Sequence, residues 1–141
     1  MPGRYSVEID HGRRLNTITV AVGLTVEIIK DMNIELWSRP DFDPYYGTLV
    51  ILSKSSFEDM DHAKFREVFE WAARNDPRKG CLAVVHVGGA AEEAFARMVE
   101  AVRDTTALVQ VRPFRHFLSV EEALAWIAEV EVWPPEGGGK E

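Results

Sequence analysis

The residues that could do chemistry are few and scattered. His11, His62, His86 and His116 fall on a turn, a helix start, a strand and a loop, without an HExxH or comparable spacing that would converge them on zinc. His86 stands inside an apolar run, where a hydrogen-bonded core histidine is the simpler reading. Cys81 is the single cysteine, which excludes an internal disulfide and any CxxC motif. With Lys79 as its cationic neighbour in sequence, it reads as a small buried hydrophobe. The chain has no GxSxG elbow, Walker A loop or GxGxxG fingerprint, so nothing points to a catalytic site, a cofactor or a metal.

One group of polar residues could converge. In open α/β sheets ligands sit beyond the carboxyl ends of parallel strands. The expected strand ends here carry Ser53 to Ser56, Gly88-Gly89 and Arg112 to Arg115, whose hydroxyls, helix amides and guanidinium groups could hold an anion. Glu58, Asp59 and Asp61 crowd the same edge and would repel a phosphate. The simpler reading is that the serines cap a helix, the glycines turn the chain and the arginines are solvated.

These positions imply a framework. Tyr5, Val7 and Ile9 alternate with polar neighbours, His11-Gly12-Arg13 supplies a turn, and Ile18, Val20 and Val22 alternate again, which predicts a β-hairpin. Thr25 is the expected N-cap of a helix burying Val26, Ile29, Met32 and Leu36 and ending before Pro40. Leu49 to Leu52 reads as a central strand covered on both faces. Ser55-Ser56-Phe57-Glu58 has capping-box spacing and predicts the start of a helix that buries Phe65, Val68, Phe69 and Ala72 and stops at Asn75-Asp76-Pro77. Leu82 to Val87 is a second buried strand, and Gly88-Gly89 leads into a helix with Ala91, Ala94, Phe95, Met98 and Val102 inward. Val109 and Val111 mark a last strand, and Ser119-Val120-Glu121-Glu122 opens a last helix.

The expectation is an α/β fold: a mixed sheet with an N-terminal β-hairpin followed by βαβαβα-type parallel strands and about four helices, in a single domain over 1–133 with a flexible tail over 134–141. At 141 residues, 46% hydrophobic and 28% charged, the chain has the size and composition of one globular domain rather than a disordered or low-complexity segment. The net charge of −7 argues against a nucleic-acid partner. No apolar run reaches membrane-spanning length and the first residues are too polar for a secretory signal, so a cytoplasmic location is expected. Trp37, Trp71 and Trp126, with Phe42, Tyr45 and Tyr46, could form a partner surface or the face of a homodimer, or seal the rim of a small core.

The element order, together with LVILSKSSFEDMDHAKF and the final SVEEALAWI, resembles the STAS superfamily, and within it the SpoIIAA-like branch. The resemblance runs from about Tyr5 to Ile127. It implies a regulatory module that binds a protein partner without catalysis. The anti-sigma factor antagonists of that superfamily carry Asp-Ser-Ser-Gly at a helix start. That stretch falls on Asp59, Met60, Asp61 and His62, which keep the acid but lack both serines and the glycine; this argues against a phospho-switch there. The resemblance places the partner-binding edge on Ser53, Ser56, Glu58, Met60, Asp61 and His62. Lipid-binding folds similar to this branch suggest an alternative, a carrier of a small apolar or amphipathic ligand in a pocket between helices and sheet. Met32, Phe65, Phe69, Phe95 and Met98 would line it, and the same residues also suit an ordinary core.

Overall fold

A computed structural model of the chain describes residues 4–52, 60–86, 100–101 and 113–130. Strands β1 (Tyr5–Asp10) and β2 (Leu15–Val20) form the expected antiparallel hairpin, with Val7 opposite Ile18. The turn between them places Arg14 in the left-handed region at φ 54°, and the Asp10 carboxylate accepts the Arg13 amide at 3.1 Å.

Helix α1 (Val26–Trp37) starts where Thr25 predicts it: the Thr25 hydroxyl oxygen accepts the Ile28 amide at 3.1 Å. Its inward face is Ile28, Ile29, Met32, Asn33 and Leu36, a set that includes one polar residue. Strand β3 (Gly47–Leu52) follows, parallel to β2 and buried along most of its length, as its continuous apolar run requires.

Helix α2 (His62–Asn75) starts later than the Ser55–Glu58 capping box suggested. Residues 53–59 lie outside the described residues, and Met60 and Asp61 are not helical. Asp61 is the N-cap, its carboxylate accepting the Lys64 amide at 2.9 Å. Aspartate caps as well as serine does, so cap chemistry alone did not decide between the two starts. Phe65, Val68, Phe69 and Ala72 are buried as expected.

Strand β4 (Leu82–His86) is buried throughout and pairs in parallel with β3. Strand β5 (Phe114–Phe117) pairs in parallel with β4, Val84 opposite His116. Val109 and Val111 lie outside the described residues, so His116, expected in a loop, is in a strand. Phe114 and Phe117 are three apart and face opposite sides of the sheet, which gives this strand no alternating pattern to read. Helix α3 (Val120–Glu129) is capped by Ser119, whose hydroxyl accepts the Glu122 amide at 3.1 Å.

The sheet order is β1-β2-β3-β4-β5, and β1 is its antiparallel member. Helices α1 and α2 cover one face, packing Ile29, Met32, Leu36, Phe65 and Phe69 on Ile18, Val20, Val50 and Val84. Helix α3 covers the other, packing Ala123 and Ile127 on Leu49, Ala83, Val85 and Cys81. The described residues thus hold three helices where about four were expected; Glu100 and Ala101 are helical, and the remainder of the helix expected after Gly88-Gly89 lies outside them. Among the described residues no helix is long and apolar enough to cross a membrane.

Candidate ligand cavity

The α1–α2 face is not filled evenly. Met32 and Ile29 from α1, Phe65, Val68 and Phe69 from α2, and Val50, Val84 and Phe114 from the sheet surround a cavity of about 80 Å³. At about 30 Å³ per water in the liquid, space of that size takes roughly three water-sized groups. Of the five residues expected to line a pocket, Met32, Phe65 and Phe69 do so; Phe95 and Met98 lie outside the described residues.

The cavity has one polar end, on the amino-terminal side of the parallel strands, formed by Asn33, Asp76 and Arg78. Asp76 ends α2, and its carboxylate accepts the Arg78 amide at 2.9 Å, a local turn that folds the arginine back under the helix. The guanidinium then binds the same carboxylate twice, through Nε at 2.8 Å and Nη2 at 2.7 Å, with both side chains 3% exposed. Nη2 also donates to Asn33 Oδ1 at 2.8 Å, and Nη1 reaches Thr48 Oγ1 at 3.4 Å. Asn33 Nδ2 donates to the Ile29 carbonyl at 2.7 Å. Behind Thr48, Asn16 Nδ2 lies 3.4 Å from the same hydroxyl, and Asn16 Oδ1 is buried without a hydrogen-bond partner among the described residues. A buried charge is tolerated when it is paired and hydrogen-bonded, and this ion pair meets both conditions.

A column of cations and rings closes the outer side of the cluster. Arg78 lies over Trp37 at 5.6 Å, Trp37 stacks on Trp71 at 5.3 Å and 20°, and Lys30 sits over Trp71 at 5.6 Å. Trp71 also lines the cavity. These two tryptophans therefore bridge the seam between α1 and α2.

Sequence reading missed Asn33, Asp76 and Arg78. Asn33 carried a signal, since it follows Ile29 by four residues and precedes Leu36 by three, a polar residue on a core stripe. Arg78 carried none: Asp-Pro-Arg-Lys reads as an exposed turn.

The other candidates disperse. Of the expected partner edge, Ser53, Ser56 and Glu58 lie outside the described residues. Met60 is 1% exposed within the α1–α2 core, so its side chain is not on a contact surface; Asp61 is exposed but engaged as a cap, and His62 is half-buried. Of the anion constellation, Ser55, Gly88, Gly89 and Arg112 lie outside the described residues, and Arg115 is not at a strand's carboxyl end. It stands within β5 opposite Ala83, its guanidinium 5.2 Å from the Phe117 ring centre. Cys81 is buried against α3 as a small hydrophobe. Among the described residues no group of three or more His, Cys, Asp or Glu is placed to hold a metal ion.

Two histidine arrangements remain. His86 and His116 lie on the same face of neighbouring strands, and His86 is 2% exposed. Burial lowers the pKa of both, and the nearby charge of His116 lowers that of His86 further. At the opposite end of the sheet His11 Nε2 binds Asp41 Oδ2 at 2.9 Å while Nδ1 meets Tyr46 Oη at 2.7 Å. The consistent tautomer has His11 donating to Asp41 and accepting from Tyr46. The His11 hydrogen bond is the main cause holding the Asp41 carboxyl below its usual range. None of His11, Asp41 and Tyr46 lines the cavity, and together they tie the hairpin turn to the loop before β3.

In comparisons with known proteins, no family model matches this chain, and no curated protein or solved structure matches it.

Proposed function

We propose that this domain is a non-catalytic binding module for a small apolar or amphipathic molecule held between α1, α2 and the sheet. The observation that carries the reading is the cavity itself, apolar along its walls and polar at one end. Protein interiors are packed nearly to crystal density, and at ~24 cal/mol per Å³ a space of about 80 Å³ between helices and sheet costs at most about 2 kcal/mol. A ligand that fills it recovers that energy while the polar end fixes its orientation. The volume suits a short molecule of a few heavy atoms rather than a lipid acyl tail.

Native mass spectrometry of the protein purified gently from its own host tests this. The expected spectrum shows added mass that organic solvent removes. A bare chain mass in both preparations would overturn the reading.

A second reading, kinship with the STAS superfamily and binding of a regulatory protein partner through the edge from Ser53 to His62, is supported by the exposed Asp61 and half-buried His62 at the start of α2. Alanine substitutions at Asp61 and His62 should then release a captured partner, and retention of every partner would refute it.

A further inference from the structure

We propose that the cavity selects an uncharged molecule of about three or four heavy atoms, bearing a hydrogen-bond acceptor at the end that meets Arg78 and Asn33. This rests on the binding-module reading above and adds the chemical class of the ligand. Three observations converge on it.

The first is charge. Arg78 is the cation at the polar end, and the Asp76 carboxylate already neutralises it through two short hydrogen bonds. A ligand carboxylate would give up its hydration shell to meet a cation that is already paired, with the Asp76 carboxylate beside it. A ligand cation would meet the Arg78 guanidinium. An uncharged group faces neither penalty.

The second is the balance of donors and acceptors. A guanidinium has five N–H donors and a side-chain amide two. Among the described residues Arg78 uses four, two on Asp76, one on Asn33 and one on Thr48. Asn33 uses one amide hydrogen on the Ile29 carbonyl, and its own carbonyl oxygen is taken by Arg78. One hydrogen on Arg78 Nη1 and one on Asn33 Nδ2 are left over, on two residues that both line the cavity. A ketone, ether or hydroxyl oxygen could accept from both of these donors.

The third is size. A space of about 80 Å³ is about half of the ~150 Å³ that takes benzene, and admits a short molecule of about three or four heavy atoms.

Three probes of matched bulk separate these terms: acetone, isobutene and acetate, each titrated at pH 7 into protein labelled with ¹³C at the methionine methyls. Met32 lines the cavity and should report occupancy. Acetone is expected to shift the Met32 signal saturably, with acetate at least about tenfold weaker. Asn33→Leu should weaken acetone by about fivefold, the worth of one hydrogen bond, while isobutene binds as before or tighter. Val68→Phe, which fills the cavity, should abolish the response to all three. A carboxylate that binds as tightly as the ketone would overturn the proposal and leave the binding module standing. Equal losses for ketone and hydrocarbon in Asn33→Leu would also overturn it. Were that variant not to fold, the ketone-to-carboxylate comparison on the unmodified protein decides alone. No saturable Met32 response to any probe, with Val68→Phe indistinguishable from the parent, would overturn the binding module itself.

Discussion

Val68→Phe should stabilise this protein. Val68 is 4% exposed, sits on the sheet-facing side of α2 and lines the cavity. Enlarging a side chain in a filled core costs about 1–3 kcal/mol because neighbours are forced off their rotamers. Here the four added carbons enter a space that holds roughly three water-sized groups. Recovering the whole of the about 80 Å³ void would contribute about 2 kcal/mol, which is the upper limit of the gain. For a chain of this size that corresponds to a rise in Tm of up to about 8 °C. Urea titration with parallel thermal melts measures it, and an unchanged m-value shows that the effect is on stability. The control is Ile18→Phe, on a fully buried β2 position in the same core that does not line the cavity; it should lose about 1–3 kcal/mol. If Val68→Phe is destabilised as much as Ile18→Phe, the space is not available and the reasoning fails.

The remaining predictions concern the polar cluster, the backbone and the histidines. Arg78→Met should cost about 3–5 kcal/mol by removing the guanidinium that pairs with the buried Asp76 carboxylate. Adding Asp76→Leu should restore part of that loss, and additive losses in a double-mutant cycle would contradict the pairing. Gly80→Ala should cost about 3 kcal/mol or more, because a Cβ there would fall on the Tyr46 carbonyl; a melting curve like the parent's would show that the two segments do not approach so closely. Asp61→Ala should cost about 1 kcal/mol through loss of the α2 cap, read as a lower urea midpoint. His86 and His116 are both held below the ordinary histidine value of 6.5, so the unfolded chain binds protons more readily than the native one. Their contribution is complete above that value and is lost as the pH falls through it toward the lowered native values. Stability measured from pH 7.5 down to 5 should therefore decline, less steeply in His86→Gln, and a flat profile in the parent would refute this. Asp41 acts lower: its carboxyl is held below 3.8, so its contribution persists above that value and disappears in more acid solution.

What the sequence showed was whatever periodicity and cap chemistry encode locally. The hairpin was legible in two alternating runs around His11-Gly12-Arg13, α1 in Thr25, α3 in Ser119, and the buried strands β3 and β4 in uninterrupted apolar runs. Strand β5 was not, because Phe114 and Phe117 serve opposite faces and Arg115 and His116 give no pattern between them. The start of α2 was misjudged because Ser55–Glu58 and Asp61 offer equivalent cap chemistry a few residues apart. Of the candidate site, the aromatic walls at Phe65 and Phe69 were legible as an apolar stripe, which does not distinguish a filled core from one with a space in it. The polar end was invisible for a different reason. Arg78 is buried by Trp37 and Asn33 from α1, elements distant in sequence, and an arginine after Asp-Pro carries no local mark of that fate.

A crystal structure of the protein under xenon pressure tests the central claim most directly, because xenon enters apolar cavities without needing the right hydrogen-bond partner. Xenon is expected among Val68, Phe69, Val84 and Met32, within the α1–α2 layer and near Arg78. Continuous side-chain density there, with xenon absent, would show a filled core and contradict the assignment of this domain as a binding module.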